Sequence, residues 1–184
     1  MIIIDNCFEY QQVTALRSLV EKDVAQYNNR LEKYDDETDH HEFHDCGIFD
    51  LQRETRNHYL LYLVGKNLLH NQCIEGHDHM LRYHQMRYPY HSTWHKDRLT
   101  DWESDQIDYI GITYFLDDNW NPLDGGLFLF KESKEASIGK YVEPIHNRIV
   151  INDQDLYHAV TRINKPNVTR TSLQMFIHKK YLIV

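Results

Sequence analysis

Apolar positions recur along this chain with two different periods. Across residues 9–30, Val13, Leu16, Leu19, Val20, Val24 and Tyr27 return every three or four positions, the period of an amphipathic helix. Residues 54–70 repeat the pattern with Tyr59, Leu60, Leu63, Val64, Asn67 and Leu68 on one side, weakened slightly by Gly65. Ile2, Ile3 and Ile4 suit a short buried strand. Beyond Gly76 the period shortens towards two. Residues 79–88, 109–116, 126–130, 148–151, 158–163 and 170–178 read as strands, separated by turn signals at Asn121-Pro122, Asp124-Gly125-Gly126, Asn152-Asp153 and Lys165-Pro166-Asn167. Helices followed by closely spaced strands predict an α+β chain whose second half is a sandwich or barrel. No repeat or linker divides the sequence, so 1–184 is expected to be one domain, with 1–76 a mainly helical support and 77–180 the β core.

Composition narrows the function classes. The formal net charge is −8, with 28 acidic against 20 basic residues, and the basic residues are scattered. That argues against nucleic acid as a partner, since a duplex-binding protein usually presents a basic face. Cys7, Cys46 and Cys73 lack CxxC spacing and read as free thiols of a reducing compartment, which places the protein in the cytoplasm. Met1-Ile2-Ile3-Ile4-Asp5 has no basic flank and too short an apolar run for a signal peptide, and no stretch has the length of a membrane span. Residues 33–46 are acidic and His-rich and read as a solvated loop, in which His40, His41 and His44 bind metal only adventitiously. Residues 97–108, polar with Trp102 inside, lie where a substrate-covering loop belongs. Trp94, Trp102 and Trp120 read as core or rim, and Gly125-Gly126 as a hairpin turn, not a phosphate cradle, because no Lys-Ser/Thr follows.

The chemistry concentrates in His95-Lys96-Asp97. On a strand, two side chains separated by one residue leave the same face. With His158 they make two imidazoles and a carboxylate, a set that occupies one face of an octahedral Fe(II) and leaves three positions for a cosubstrate and O2. Arg170 follows on the last long strand, with Ser172 on the same face. A guanidinium there is what 2-oxoglutarate requires: its keto and adjacent carboxylate oxygens chelate iron, and its far carboxylate needs a buried fork of donors. A hydroxyl from Ser172, Thr113 or a tyrosine would complete that shell. His-x-Asp alone is weak, because a chain with 13 His yields about one such triplet by accident. Spacing alone leaves the alternative equally open: His95 and His158 as ordinary histidines of a β-sandwich, and Arg170 as a surface charge.

Tyr88-Pro89, Trp94-His95-Lys96-Asp97, Tyr114-Phe115-Leu116-Asp117-Asp118-Asn119-Trp120, Asp124-Gly125-Gly126-Leu127-Phe128, Asn147-Arg148-Ile149-Val150-Ile151, Tyr157-His158-Ala159-Val160 and Arg170-Thr171-Ser172-Leu173 together resemble, in order, the prolyl-4-hydroxylase-like 2-oxoglutarate/Fe(II) dioxygenases. The resemblance covers residues 79–178 and implies a double-stranded β-helix (jelly-roll) core flanked by the N-terminal helices. It also implies Fe(II) on His95, Asp97 and His158, 2-oxoglutarate anchored by Arg170, and O2 as oxidant, with ascorbate as an accessory reductant. Two positions depart from the family pattern. Tyr90-His91-Ser92 stands where a glycine is common, and Phe115 stands where hypoxia-sensing enzymes use a tyrosine towards the cosubstrate. Ser172, Thr113, Tyr83 and Tyr88 are therefore the candidates for the missing hydroxyl. Asp97 implies hydroxylation, since halogenases of the superfamily carry a small residue there. The implied substrate is a prolyl residue in a peptide or protein, or a free amino acid. The alternatives are a dioxygenase acting on another small metabolite and a non-catalytic jelly-roll that senses a metal or metabolite. Oligomeric state is left open.

Overall fold

The structure is a computed structural model that describes residues 1–26, 46–75, 80–97 and 108–184. The expectations for the His-rich stretch up to residue 45, for residues 98–107 and for Trp102 fall outside the described residues.

Among the described residues, two helices back onto a pair of antiparallel sheets. The helices are α1 (Tyr10–Gln26) and α2 (Arg53–Gly65), and the strands are β1 (Ile2–Ile4), β2 (Cys46–Asp50), β3 (Leu81–Arg87), β4 (Ser92–His95), β5 (Tyr109–Phe115), β6 (Phe128–Lys131), β7 (Lys140–Val142), β8 (Ile149–Asp153), β9 (Tyr157–Val160) and β10 (Thr169–His178). One sheet has the order β1-β8-β5-β10-β3-β2 and the other β4-β9-β6-β7. This is the sandwich that the strand pattern anticipated, and the jelly-roll core with flanking helices that the family resemblance implied.

Alternation along the central strands sets up two layers of packing. Ile110, Ile112 and Tyr114 of β5, Ile149 and Ile151 of β8, and Leu173, Met175 and Ile177 of β10 pack in one cluster with Leu16 and Val20 of α1 and Leu60 and Leu63 of α2. The intervening residues face the smaller sheet, where Phe115 and Val150 meet Phe128 and Val142. Met86, Tyr90, Val160 and Ile163 close the other end of the sandwich. β5 is buried at every position, as a strand covered on both faces must be.

Polar groups fix the supports. The N-terminal residue flanking α2, Gln52, makes no side-chain cap; Asp23 of α1 reaches across and accepts from Gln52 N at 2.8 Å and from Thr55 Oγ1 at 2.7 Å. One helix thereby satisfies an orphan backbone donor and a buried hydroxyl of the other. Asn147, buried and left-handed at φ 58°, accepts from Phe8 N at 2.9 Å and donates to Phe8 O at 2.8 Å, tying the N-terminal segment to the turn before β8.

Some sequence expectations shift. The second helix stops at Gly65 instead of His70 because Asn67 turns left-handed (φ 56°) and Leu68 N reaches back to Leu63 O at 3.0 Å, the geometry that ends helices. β2 and β7 were not anticipated, and Asn152 and Asp153, expected as a turn, belong to the end of β8.

Candidate active site

β4 and β9 pair antiparallel with His95 directly opposite His158, and the register shifts between Ser92 and His95. Ser92 repairs the irregularity by accepting Val160 N on its Oγ at 2.8 Å. The two imidazole centroids stand 4.3 Å apart. Asp97, just past the end of β4, places Oδ1 3.5 Å from His95 Nε2 and Oδ2 3.4 Å from His158 Nε2. The ligand-competent atoms of the three residues all lie within 4.8 Å of one another.

Each imidazole is aimed by the backbone. His95 Nδ1 lies 2.7 Å from Thr93 O and His158 Nδ1 lies 2.8 Å from Leu156 O. A carbonyl only accepts, so both Nδ1 atoms carry the hydrogen, and both Nε2 lone pairs turn to the shared space. Burial pushes the His158 imidazolium pKa down against the opposing pull of Asp97, so the ring favours its neutral, ligating form. Burial alone would raise the Asp97 carboxyl; with the neighbouring rings protonated on both nitrogens, a hydrogen bond from His95 Nε2 and the positive charges of His158, His95 and His84 outweigh it and hold the group below its ordinary value. His158 is further pinned by stacking on Phe128, centroids 5.2 Å apart. Two imidazoles and one carboxylate converging in this way suit a divalent first-row metal.

Arg170 is 2 % exposed, on the same inner face of the large sheet as Ser172. Its guanidinium carbon sits 4.9 Å from the centre of the Phe115 ring, and Nη1 reaches Met86 Sδ at 3.0 Å. Phe115, which lacks the hydroxyl found in some relatives of its motif, thus supplies an aromatic floor for the cation. Gly126, at φ +72°, lets the chain pass so close that an added Cβ would stand 3.0 Å from Arg170 Cδ.

The candidate hydroxyls divide. Ser172 (2 % exposed) and Thr113 (7 %) both lie on the inner face. Tyr83 does not: it pairs with Leu173 and packs on the helix-facing cluster, on the opposite face of the sheet from Arg170. Side chains alternate along β3, so Tyr83 is set aside as a cosubstrate contact. Tyr88 lies beyond the end of β3, 39 % exposed, with Arg162 5.3 Å over its ring, and is not the buried hydroxyl expected. Sequence reasoning passed over His84, two residues before Met86 on the inner face; its Nε2 is buried and makes no hydrogen bond among the described residues. Strand parity with Met86 was the available signal. The tryptophan readings for Trp94 and Trp120 agree with their positions, stacked on Tyr157 and donating to Gly125 O respectively.

A separate cavity of about 440 Å³ lies on the helix side of the large sheet, lined by Arg17, Glu21, Tyr83, Asp117, Asp118 and Trp120 among others. Arg17 pairs with Asp118, and Asp117 accepts from Thr171 N at 2.6 Å and Oγ1 at 2.7 Å, so much of its charge is satisfied internally. It does not include the triad. No helix among the described residues is long and apolar enough to cross a membrane.

Comparison with known proteins agrees with this geometry. Residues 79–178, over half the chain, match the model of the 2OG-Fe(II) oxygenase superfamily. No curated protein sequence matches significantly. Among solved structures, a prolyl-4-hydroxylase from Pseudomonas putida is similar at 17 % identity and TM-score 0.67, covering 96 % of this chain and 91 % of that one. A Trichoplax adhaerens prolyl hydroxylase in complex with a hypoxia inducible factor oxygen degradation domain peptide is similar at 11 % identity and TM-score 0.64, covering 99 % and 83 %. HygX from Streptomyces hygroscopicus, with nickel and 2-oxoglutarate bound, is similar at 11 % identity and TM-score 0.62, covering 99 % and 84 %. At these identities the likeness is one of fold.

Proposed function

The chain belongs to the 2OG-Fe(II) oxygenase superfamily, and from that premise we propose that it hydroxylates a C–H bond of a prolyl residue in a peptide or protein, or of a free amino acid, while decarboxylating 2-oxoglutarate. The observation that carries this reading is the convergence of His95, Asp97 and His158 within 4.8 Å on one sheet, facing an inner wall that carries a buried arginine. Residues 77–180 hold the chemistry, and residues 1–76 support it. Fe(II) bound at the triad would supply the redox chemistry that activates O2.

The chain's own residues then have separable tasks. His95 and His158 present their Nε2 atoms, held in place by Nδ1–H bonds to backbone, and Asp97 contributes the negative charge. Arg170 fixes the far carboxylate of the cosubstrate with a planar pair of donors, and Ser172 or Thr113 adds a hydroxyl from the same face. The Phe128 and Phe130 side of the small sheet and the Phe115 side of the large one keep this space dry, which strengthens each charged contact. Ascorbate dependence is part of the same reading. The test is 2-oxoglutarate consumption by the Fe(II)-loaded protein with prolyl peptides and free amino acids, followed by mass spectrometry. A product heavier by one oxygen atom is expected. Consumption stimulated only by another class of metabolite would replace the prolyl substrate, and no consumption at all would overturn the reading.

A further inference from the structure

We infer that His84 is a further positioning residue for the cosubstrate, its imidazole Nε2 donating a hydrogen bond to a carboxylate oxygen of the 2-oxo dicarboxylate held between the triad and Arg170. The inference rests on the proposed function above and assigns a role that neither the triad nor Arg170 supplies.

Three observations converge on this ring. The first is place. β3 alternates so that His84 and Met86 face the sandwich interior, with His84 opposite Ser172 and Met86 opposite Arg170. His84 is thus diagonal to Arg170 across one strand pair, a separation of about 7–8 Å between α-carbons that long side chains bridge. The second is what the ring faces. Asp97, from the triad, and Arg170 both act on it electrostatically, as does Arg82, so its charged neighbours include a residue from each end of the proposed cosubstrate site. On the strand's other flank its register partner is Ile48, which offers no polar side-chain atom. The third is an unmet need. Its Nε2 is buried without a hydrogen bond among the described residues, although buried polar atoms are as a rule paired. A ligand oxygen arriving from the site would satisfy it.

The charge state agrees. Burial first, then the nearby charges of Arg82 and Arg170, push the His84 imidazolium pKa down to about 4, with Asp97 opposing. A neutral ring meets an anion favourably only as a donor, so the tautomer with hydrogen on Nε2 is the one that would serve. Thr113, Ser172 and His84 then line one inner wall. That arrangement places an imidazole N–H beside a site whose Phe115 brings no hydroxyl.

The test uses the full chain loaded with Mn(II), without oxygen, titrated calorimetrically with 2-oxoglutarate. H84L removes both ring nitrogens at similar bulk, and H84Q returns an N–H near the position of Nε2. The expected result is about tenfold weaker binding in H84L, most of it recovered in H84Q, with the same Mn(II) affinity and melting temperature in all three proteins. A purely structural histidine would not be rescued selectively in cosubstrate affinity. Equal 2-oxoglutarate affinity in H84L and the unmodified protein overturns the inference and leaves the proposed function standing. Loss of Mn(II) affinity in H84L assigns the ring to the metal instead and also overturns it. An unmodified protein that binds Mn(II) but not 2-oxoglutarate overturns both. Should H84L fail to fold, the unmodified Zn(II) protein with 15N-labelled histidines decides: the His84 Nε2 resonance shifts on adding 2-oxoglutarate, and an unmoved resonance refutes the assignment.

Discussion

Gly126→Ala should damage cosubstrate binding more than it damages the fold. Gly126 has φ +72°, and an added Cβ would lie 2.7 Å from Ile163 Cδ1 and 3.0 Å from Arg170 Cδ. An L side chain in the left-handed region costs about 1–2 kcal/mol. Ile163, 1 % exposed among Met86, Tyr90 and Val160, must leave its preferred rotamer, for about 0.5–1.5 kcal/mol more. Against this, alanine gains about 0.4–1 kcal/mol from a less disordered unfolded chain. The net loss is roughly 0.5–3 kcal/mol, which in a domain of this size lowers Tm by roughly 1–12 °C. The second contact matters more for function. Arg170 Cδ has to give by a few tenths of an ångström, which shifts the guanidinium at the end of the side chain over the Phe115 ring, so 2-oxoglutarate affinity should fall about tenfold while metal affinity holds. Gly125→Ala is the control: its Cβ would stand 1.9 Å from Arg162 O, a backbone atom that cannot rotate aside, so its stability loss should be larger. Thermal melts by circular dichroism and anaerobic 2-oxoglutarate titrations of the two variants measure both effects. A Gly126→Ala protein that melts and binds like the unmodified one would refute the close packing inferred here, as would one less stable than Gly125→Ala.

Three further outcomes are expected. Asp97→Gly should abolish 2-oxoglutarate turnover with an unchanged circular dichroism spectrum, because the carboxylate is the only anionic donor of the triad; normal turnover would remove the metal role. Asp23→Ala should cost about 1–3 kcal/mol in urea unfolding, since it strands Gln52 N and buried Thr55 Oγ1 together; a loss below about 0.5 kcal/mol would show that the cross-helix cap is unimportant. The His84 pKa, lowered in the fold from 6.5 to about 4, means that the unfolded chain takes a proton that the native state refuses. Its contribution is therefore intact above about pH 6.5 and is lost as pH falls towards 4, up to about 3 kcal/mol in the ligand-free protein, and His84→Leu should flatten that part of a stability–pH curve.

The parts of the fold that follow from strong local periodicity were legible in the sequence. α1, α2 and the long central strands carry enough apolar residues at one period for packing and propensity to agree. β2 and β7 were not legible: Cys46-Gly47 and Lys140-Tyr141 have no alternation of their own, and these strands exist because an edge of a sheet is there to pair with. The end of α2 was misplaced because Asn67 fits an apolar stripe as well as it fits a left-handed cap. In the candidate site, His95, Asp97, His158 and Arg170 could be singled out from residue type and order, but the facing of side chains needed the register. Tyr83 and His84 are neighbours with opposite fates, one under the helices and one inside the sandwich, and only the pairing of β3 with β10 tells them apart.

β4 is a four-residue strand at the rim of its sheet, joined among the described residues to β9 alone and broken in register beside Ser92. Such a strand should be among the first elements to open in the native state, because few backbone bonds restrain it. A divalent ion shared by His95, Asp97 and His158 would clamp this loose rim to its neighbour, and linkage makes the clamp reciprocal. Occupancy suppresses opening of β4, and whatever frays β4 expels the ion. Amide hydrogen exchange of residues 92–95 would then act as a gauge of metal loading, slowing as metal is titrated in while the exchange of central β5 stays constant. Variants at Ser92, which touch no ligand atom, would loosen metal binding through the strand that carries it.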